Sequence, residues 1–174
     1  MTAHYIIAID PGVSTGVAIG RRSIYDPLEV VFTGIIPGGT AGFCEWLYFT
    51  NDAKTIIEQD CRKEFPSEFD NLDWHIEVVC ETFKPRGGSF APSMESLRIE
   101  GVVIDHFGSI VKWQTPADKT LVKDEFLKKH DLWLTGKDVD HEDGRDANDA
   151  LLHLFIHALR SRHIPTLEEY WGKK

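Results

Sequence analysis

Blocks of apolar residues separated by polar or turn-forming ones predict the elements of this chain in order. Tyr5 to Ile9 is an apolar run ending at Asp10. Pro11-Gly12 breaks it before Val17 to Ile19 resumes β-type composition, so the two runs predict a hairpin. Leu28 to Ile36 predicts a third strand of the same meander, stopped by Pro37, Gly38 and Gly39. From Phe43 onward Trp46, Leu47, Ala53, Ile57 and Cys61 fall mostly three or four apart, the spacing of an amphipathic helix. The segment 41–64 therefore reads as one long helix, or as two broken near Asn51.

Ile76 to Cys80 reads as a buried fourth strand ending at Glu81, and the stretch TFKPRGGSFAP after it as an exposed loop. Met94 to Phe107 has helical composition, Ile110 to Trp113 predicts a short fifth strand, and Pro116 opens a helix through Lys129. GKDVDHEDGRD shows no apolar periodicity and reads as a loop. Asp146 to Leu159 is the last clear helix, and the tail IPTLEEYWGKK is given no element.

The order β-β-β-α-β-α-β-α-α predicts an α/β fold, a mixed five-stranded sheet flanked by helices. A chain of 174 residues, 42% of them hydrophobic, is the size of one core, so residues 1–174 read as a single domain. No apolar run approaches the roughly 18 residues that cross a bilayer, and the amino terminus lacks the basic start and cleavage site of a signal peptide. The expected location is cytoplasmic. Cys44, Cys61 and Cys80 are odd in number and form no CxxC pair, which points to reduced core thiols rather than disulfides or a zinc site.

Three features reach beyond a generic α/β pattern: Asp10 at the end of the first strand, Glu81 at the end of the fourth, and Asp146 with Asp149 opening the final helix. Paired strand ends lie about 4.8 Å apart, so Asp10 and Glu81 face each other if their strands are neighbours. Asp146 and Asp149, three positions apart, share a helix face. Four converging carboxylates repel one another and raise each other's pKa, a penalty that a divalent cation removes. Hard oxygen ligands favour magnesium or manganese, and two such ions could activate a water and stabilise the leaving oxygen of a phosphodiester.

Each residue also has a plain structural reading. Asp10 could start the turn at Pro11-Gly12, Asp146 could cap its helix, and Glu81 could be an exposed strand end. His141, Glu142 and Asp143 are adjacent in a loop and lack a metal-ligand spacing. His153 and His157 read as core histidines. The net charge of −9 opposes nucleic-acid binding by the molecule as a whole, although DNA responds to a local patch rather than to the sum. Such a patch would draw on Lys84, Arg86, Lys119 and Lys123, with Arg98, Lys112, Lys128 and Lys129 as further candidates. Phe83 or Phe90 would stack on an unpaired base.

IAIDPGVSTGVAI resembles the opening strand and hairpin of the RuvC-like Holliday junction resolvases, VVCETF their second acidic strand, and DANDALLHL their last helix with its Asp-x-x-Asp-Ala-Leu pattern. IVKWQTPADKTLVKDEF is similar to their strand, Thr-Pro turn and basic helix. The resemblance implies a ribonuclease-H-like fold and a metal-dependent nuclease. It implies Asp10, Glu81, Asp146 and Asp149 as catalytic metal ligands, Mg2+ or Mn2+ as cofactor, and branched DNA as substrate. It departs from the family in the register of the lysine after Thr115-Pro116, where Lys119 and Lys123 compete, in the placing of Phe83 and Phe90, and in its acidity, as in a divergent, phage-encoded member.

Rival readings are a sugar-kinase or actin-like ATPase, suggested by Gly12, Ser14, Thr15 and Gly16 but needing a second domain; a non-catalytic branched-DNA-binding protein; and a flap or RNA-processing nuclease. Resolving a junction needs two nicks, so a homodimer is expected, with Met94, Leu97, Ile104 and Phe107 as its apolar contacts and Gly101 and Gly108 permitting close approach.

Overall fold

The computed structural model describes residues 2–49, 52–82 and 94–172. Phe83, Lys84, Arg86 and Phe90, expected to meet DNA, lie outside the described residues. Five strands form one sheet in the order β3-β2-β1-β4-β5. They are β1 (Thr2–Asp10), β2 (Thr15–Arg22), β3 (Glu29–Ile36), β4 (Asp73–Glu81) and β5 (Val111–Gln114). The first three pair antiparallel, as the meander predicts, whereas β4 and β5 join parallel to β1. The fold is the mixed five-stranded α/β sheet expected from the sequence.

Strand β1 is central and apolar on both sides because helices cover both faces of the sheet. Tyr5, Ile7 and Ile9 point to one core with Val78 and Cys80 of β4, and Phe43, Ile57 and Ile99 close it from above. Ile6, Ala8 and Val79 point the other way, against Leu151, Leu154 and Phe155. Each such fully buried Leu, Ile or Phe side chain contributes about 1.5–3 kcal/mol.

The first core is covered by α1 (Gly39–Cys44), α2 (Asp52–Glu64) and α3 (Met94–Phe107). The predicted helix over 41–64 is divided: α1 runs into a wider π-type turn at Glu45–Phe49 before α2 begins. The second core is covered by α4 (Asp124–Lys129), α5 (Arg145–Arg160) and α6 (Ile164–Trp171). No helix among the described residues is long and apolar enough to cross a membrane.

Two expectations are corrected. The helix predicted from Pro116 to Lys129 is a 3-10 turn over Pro116–Thr120 followed by α4, because Lys123 adopts an extended backbone (φ −104°, ψ 165°) between them. The tail, left without an element, forms α6, with proline at its start, where the missing N–H costs nothing. Its Trp171 stacks on Phe126 at 4.6 Å between ring centroids, and Tyr170 meets Phe155 edge-on at 4.8 Å. The three cysteines are free thiols, Cys61 and Cys80 buried.

Candidate metal centre

Alternation along the strands aims the polar groups. Asp10 continues the side of β1 that carries Ile6 and Ala8, which faces α5. Glu81 continues the side of β4 that carries Val79. The parallel register pairs Ile9 with Cys80, bringing the two acidic strand ends together, and pairs Glu81 with Gln114 at the end of β5. Across the hairpin Asp10 pairs with Gly16. A Cβ at Gly16 would lie 1.8 Å from the Asp146 carbonyl oxygen, so only glycine lets the first turn of α5 rest on β2 here. Asp143 Oδ1 accepts the Arg145 N–H at 2.9 Å as α5 opens. Asp149 and His153, four apart, then share the helix face turned toward Asp10 and Glu81.

The convergence is centred on a lysine. Lys119 Nζ lies 2.7 Å from Glu81 Oε2, 2.8 Å from Asp149 Oδ2 and 3.3 Å from Asp10 Oδ1. It is delivered by the 3-10 turn after Thr115, whose side chain and that of Asp118 form a reciprocal capping box. Arg160 holds Asp118 at 2.5 Å. Lys119, and not Lys123, reaches the carboxylates; Lys123 is exposed.

Burial, with a hydrogen bond to Glu81, pushes the Asp10 carboxyl well above the usual range, and the Lys119 charge only partly opposes this. Burial also pushes Glu81 up, but hydrogen bonds to His153 and Asp10 and the Lys119 ammonium overcome it and hold that carboxyl far down. Lys119 loses solvation, yet Asp10, Asp149 and Glu81 raise its pKa and keep it charged. Asp146 is raised by burial and then by Asp149 and Asp143. It stands beside Asp149 electrostatically, but no contact joins it to Asp10 or Glu81 among the described residues.

His153 is buried, as expected of a core histidine, yet its role is polar. Its Nε2 lies 2.7 Å from Glu81 Oε2 and its Nδ1 2.7 Å from Gln114 Oε1. The ligand atoms of Asp10, Glu81 and His153 lie within 4.8 Å of one another, the grouping of His, Cys, Asp and Glu among the described residues that could hold a metal ion. Reading the sequence left out both His153 as a partner of the site and Gln114. The available signals were the spacing of His153 from Asp149 and the place of Gln114 at a strand end beside Glu81. The ammonium of Lys119 shows that a cation fits where these carboxylates meet.

The remaining expected residues lie elsewhere. His141 bonds Ser14 Oγ through Nε2 at 3.1 Å and approaches the Asp143 carbonyl through Nδ1 at 3.3 Å. His157 reaches Glu77 at 3.0 Å. Lys112 pairs with Glu77, Arg98 with Glu95 at 2.7 Å, and Lys128 lies over the Trp133 ring at 4.5 Å.

Sheet order, register and the helices on both faces define an α/β protein built on one mixed five-stranded sheet. No protein-family model matches the sequence, and no curated protein matches it. Solved structures to which it is similar include Thermus thermophilus RuvC, at 15% identity and a TM-score of 0.49 over 91% of this chain and 95% of that one. T. thermophilus RuvC in complex with a Holliday junction substrate is similar at 13% identity and a TM-score of 0.48, over 92% and 97%. The Aquifex aeolicus member of the Ppx/GppA family reaches a TM-score of 0.27 at 12% identity, over 67% of this chain and 37% of that one.

Proposed function

We propose that this chain is a metal-dependent endonuclease that cuts branched DNA, with four-way junctions as the substrate. The observation that carries the reading is the meeting of Asp10, Glu81 and Asp149 around one cationic point at the ends of β1 and β4 and the start of α5. Asp10, Glu81, Asp149 and Asp146 would hold magnesium or manganese, as two ions if the resemblance extends to the metal content. Such ions supply an activated water and charge neutralisation at a phosphodiester.

The protein's own groups do the positioning. Glu81 is anchored by His153, which is anchored by Gln114. Lys119 neutralises the carboxylates and remains within reach of a phosphate drawn to them. Phe83, Lys84, Arg86, Phe90 and Lys123 would contact DNA. Two nicks of matching polarity call for two such sites, which a two-fold homodimer supplies.

The test is cleavage of labelled four-way junction, flap, duplex and single-stranded DNA with magnesium, manganese or chelator. Paired symmetric nicks on the junction, absent with chelator and in Asp10→Asn and Asp149→Asn, are expected. Cutting of flaps alone would move the substrate to another branched form, and wild-type rates in either variant would remove the site.

A further inference from the structure

We propose that His153 is a nitrogen ligand of the metal, its Nε2 lone pair presented by Gln114, and that the site therefore takes manganese(II) in preference to magnesium. The inference rests on the metal-site reading above and sharpens it.

The orientation of the Gln114 amide follows from its two contacts. Its Nε2 donates to the His153 carbonyl oxygen at 3.1 Å, which turns Oε1 toward His153 Nδ1 at 2.7 Å. An amide oxygen can only accept, so Nδ1 carries the hydrogen. Nε2 lies 2.7 Å from Glu81 Oε2 and close to the Asp10 carboxylate, so a proton bridges Nε2 and Glu81 in the metal-free site, and a metal ion would release that proton and take the Nε2 lone pair in its place. Metal-bound histidines are held in this way, with the second ring nitrogen donating to an oxygen that fixes tautomer and angle.

The pair is closed to water: His153 is 0% and Gln114 2% exposed. Gln114 is itself fixed, since the Thr82 N–H donates to its carbonyl at 2.6 Å. A histidine serving only to pack would not need its second nitrogen directed at the cluster. Imidazole beside carboxylates suits manganese better than magnesium, which prefers an all-oxygen octahedron and keeps its waters.

The test uses the full chain, calorimetric titration with Mn2+ and with Mg2+, and pulsed electron paramagnetic resonance of the bound manganese. The expected result is tighter binding of Mn2+ than of Mg2+ and a 14N coupling from a directly bound imidazole. The coupling should change to that of 15N when the wild-type protein carries 15N-histidine, a control that needs no variant. His153→Gln should lose the coupling and the preference while still binding Mg2+. Gln114→Leu should weaken Mn2+ about 10–100-fold, the usual effect of losing such a supporting partner.

Manganese bound in an Asp10-dependent manner without nitrogen coupling would overturn the inference and leave the carboxylate site intact. A coupling that persists in His153→Gln would also overturn it. Failure to bind either ion would overturn both readings. Nitrogen coupling in a protein that cuts no DNA would uphold the ligand and remove the nuclease.

Discussion

Gly16 abuts Asp146 so closely that a Cβ on the glycine would fall 1.8 Å from the aspartate's carbonyl oxygen. Since Gly16 also pairs with Asp10, this contact sets the spacing between the β1 carboxylate and those of α5. Gly16→Ala should push the helix start away, costing about 1–3 kcal/mol of stability as overpacking does. Metal affinity should fall more than in a control of equal instability elsewhere. Thermal melts and metal titration of the variant check both; unchanged affinity would show that the spacing does not matter.

Lys119→Met should separate charge compensation from metal binding. Without the ammonium, Asp10, Glu81 and Asp149 face one another uncompensated, so the metal-free protein should lose up to about 3 kcal/mol, the lower end for a buried ion pair stripped of one partner. Added manganese should then raise Tm more in the variant than in the wild type, because it relieves more repulsion. A smaller rise would mean that Lys119 supports the bound state.

Glu77 gives the chain an acid-sensitive point away from this cluster. The His157 hydrogen bond, joined by Lys112 and Arg22, holds its carboxyl far below the ordinary range despite burial. A depressed folded-state pKa adds stability that is present above the unfolded value, about 4.3, and is lost as pH falls toward the folded one. Glu77→Gln should therefore lower Tm at pH 7, and the gap from wild type should narrow as pH drops below about 4. Parallel melting curves at any pH would refute the linkage.

The α3 helix offers the proposed dimer surface. Met94, Leu97 and Ile104 are exposed at 61%, 40% and 54%, and a Cβ at Gly101 would meet nothing within 4 Å. Phe107, grouped with them on sequence grounds, packs against the core instead, which shortens the stripe. Leu97→Glu with Ile104→Glu should convert a dimer to a monomer in sedimentation without lowering Tm of the isolated subunit. On a plasmid cruciform the double variant should accumulate singly nicked circles.

What the sequence determined by itself was local and periodic. Runs such as Tyr5 to Ile9 and Ile76 to Cys80 read as strands because apolar composition and flanking breakers act within a few residues. Asp10 and Glu81 stand out because each ends such a run, and Asp149 because three positions from Asp146 is a turn of helix. Where one segment must choose a partner far along the chain, the signal disappears. Helix α6 is only two turns long, and what fixes it is the burial of Tyr170 and Trp171 against Phe126 and Phe155, far away in the chain. Lys119 and Lys123 are alike in sequence, and the phase of a 3-10 turn decides which one meets the carboxylates. His153 joins Gln114 across 39 positions and Glu81 across 72. Those bonds depend on β4 and β5 pairing in parallel beneath α5, so only packing in three dimensions could turn a core histidine toward the acidic strand ends.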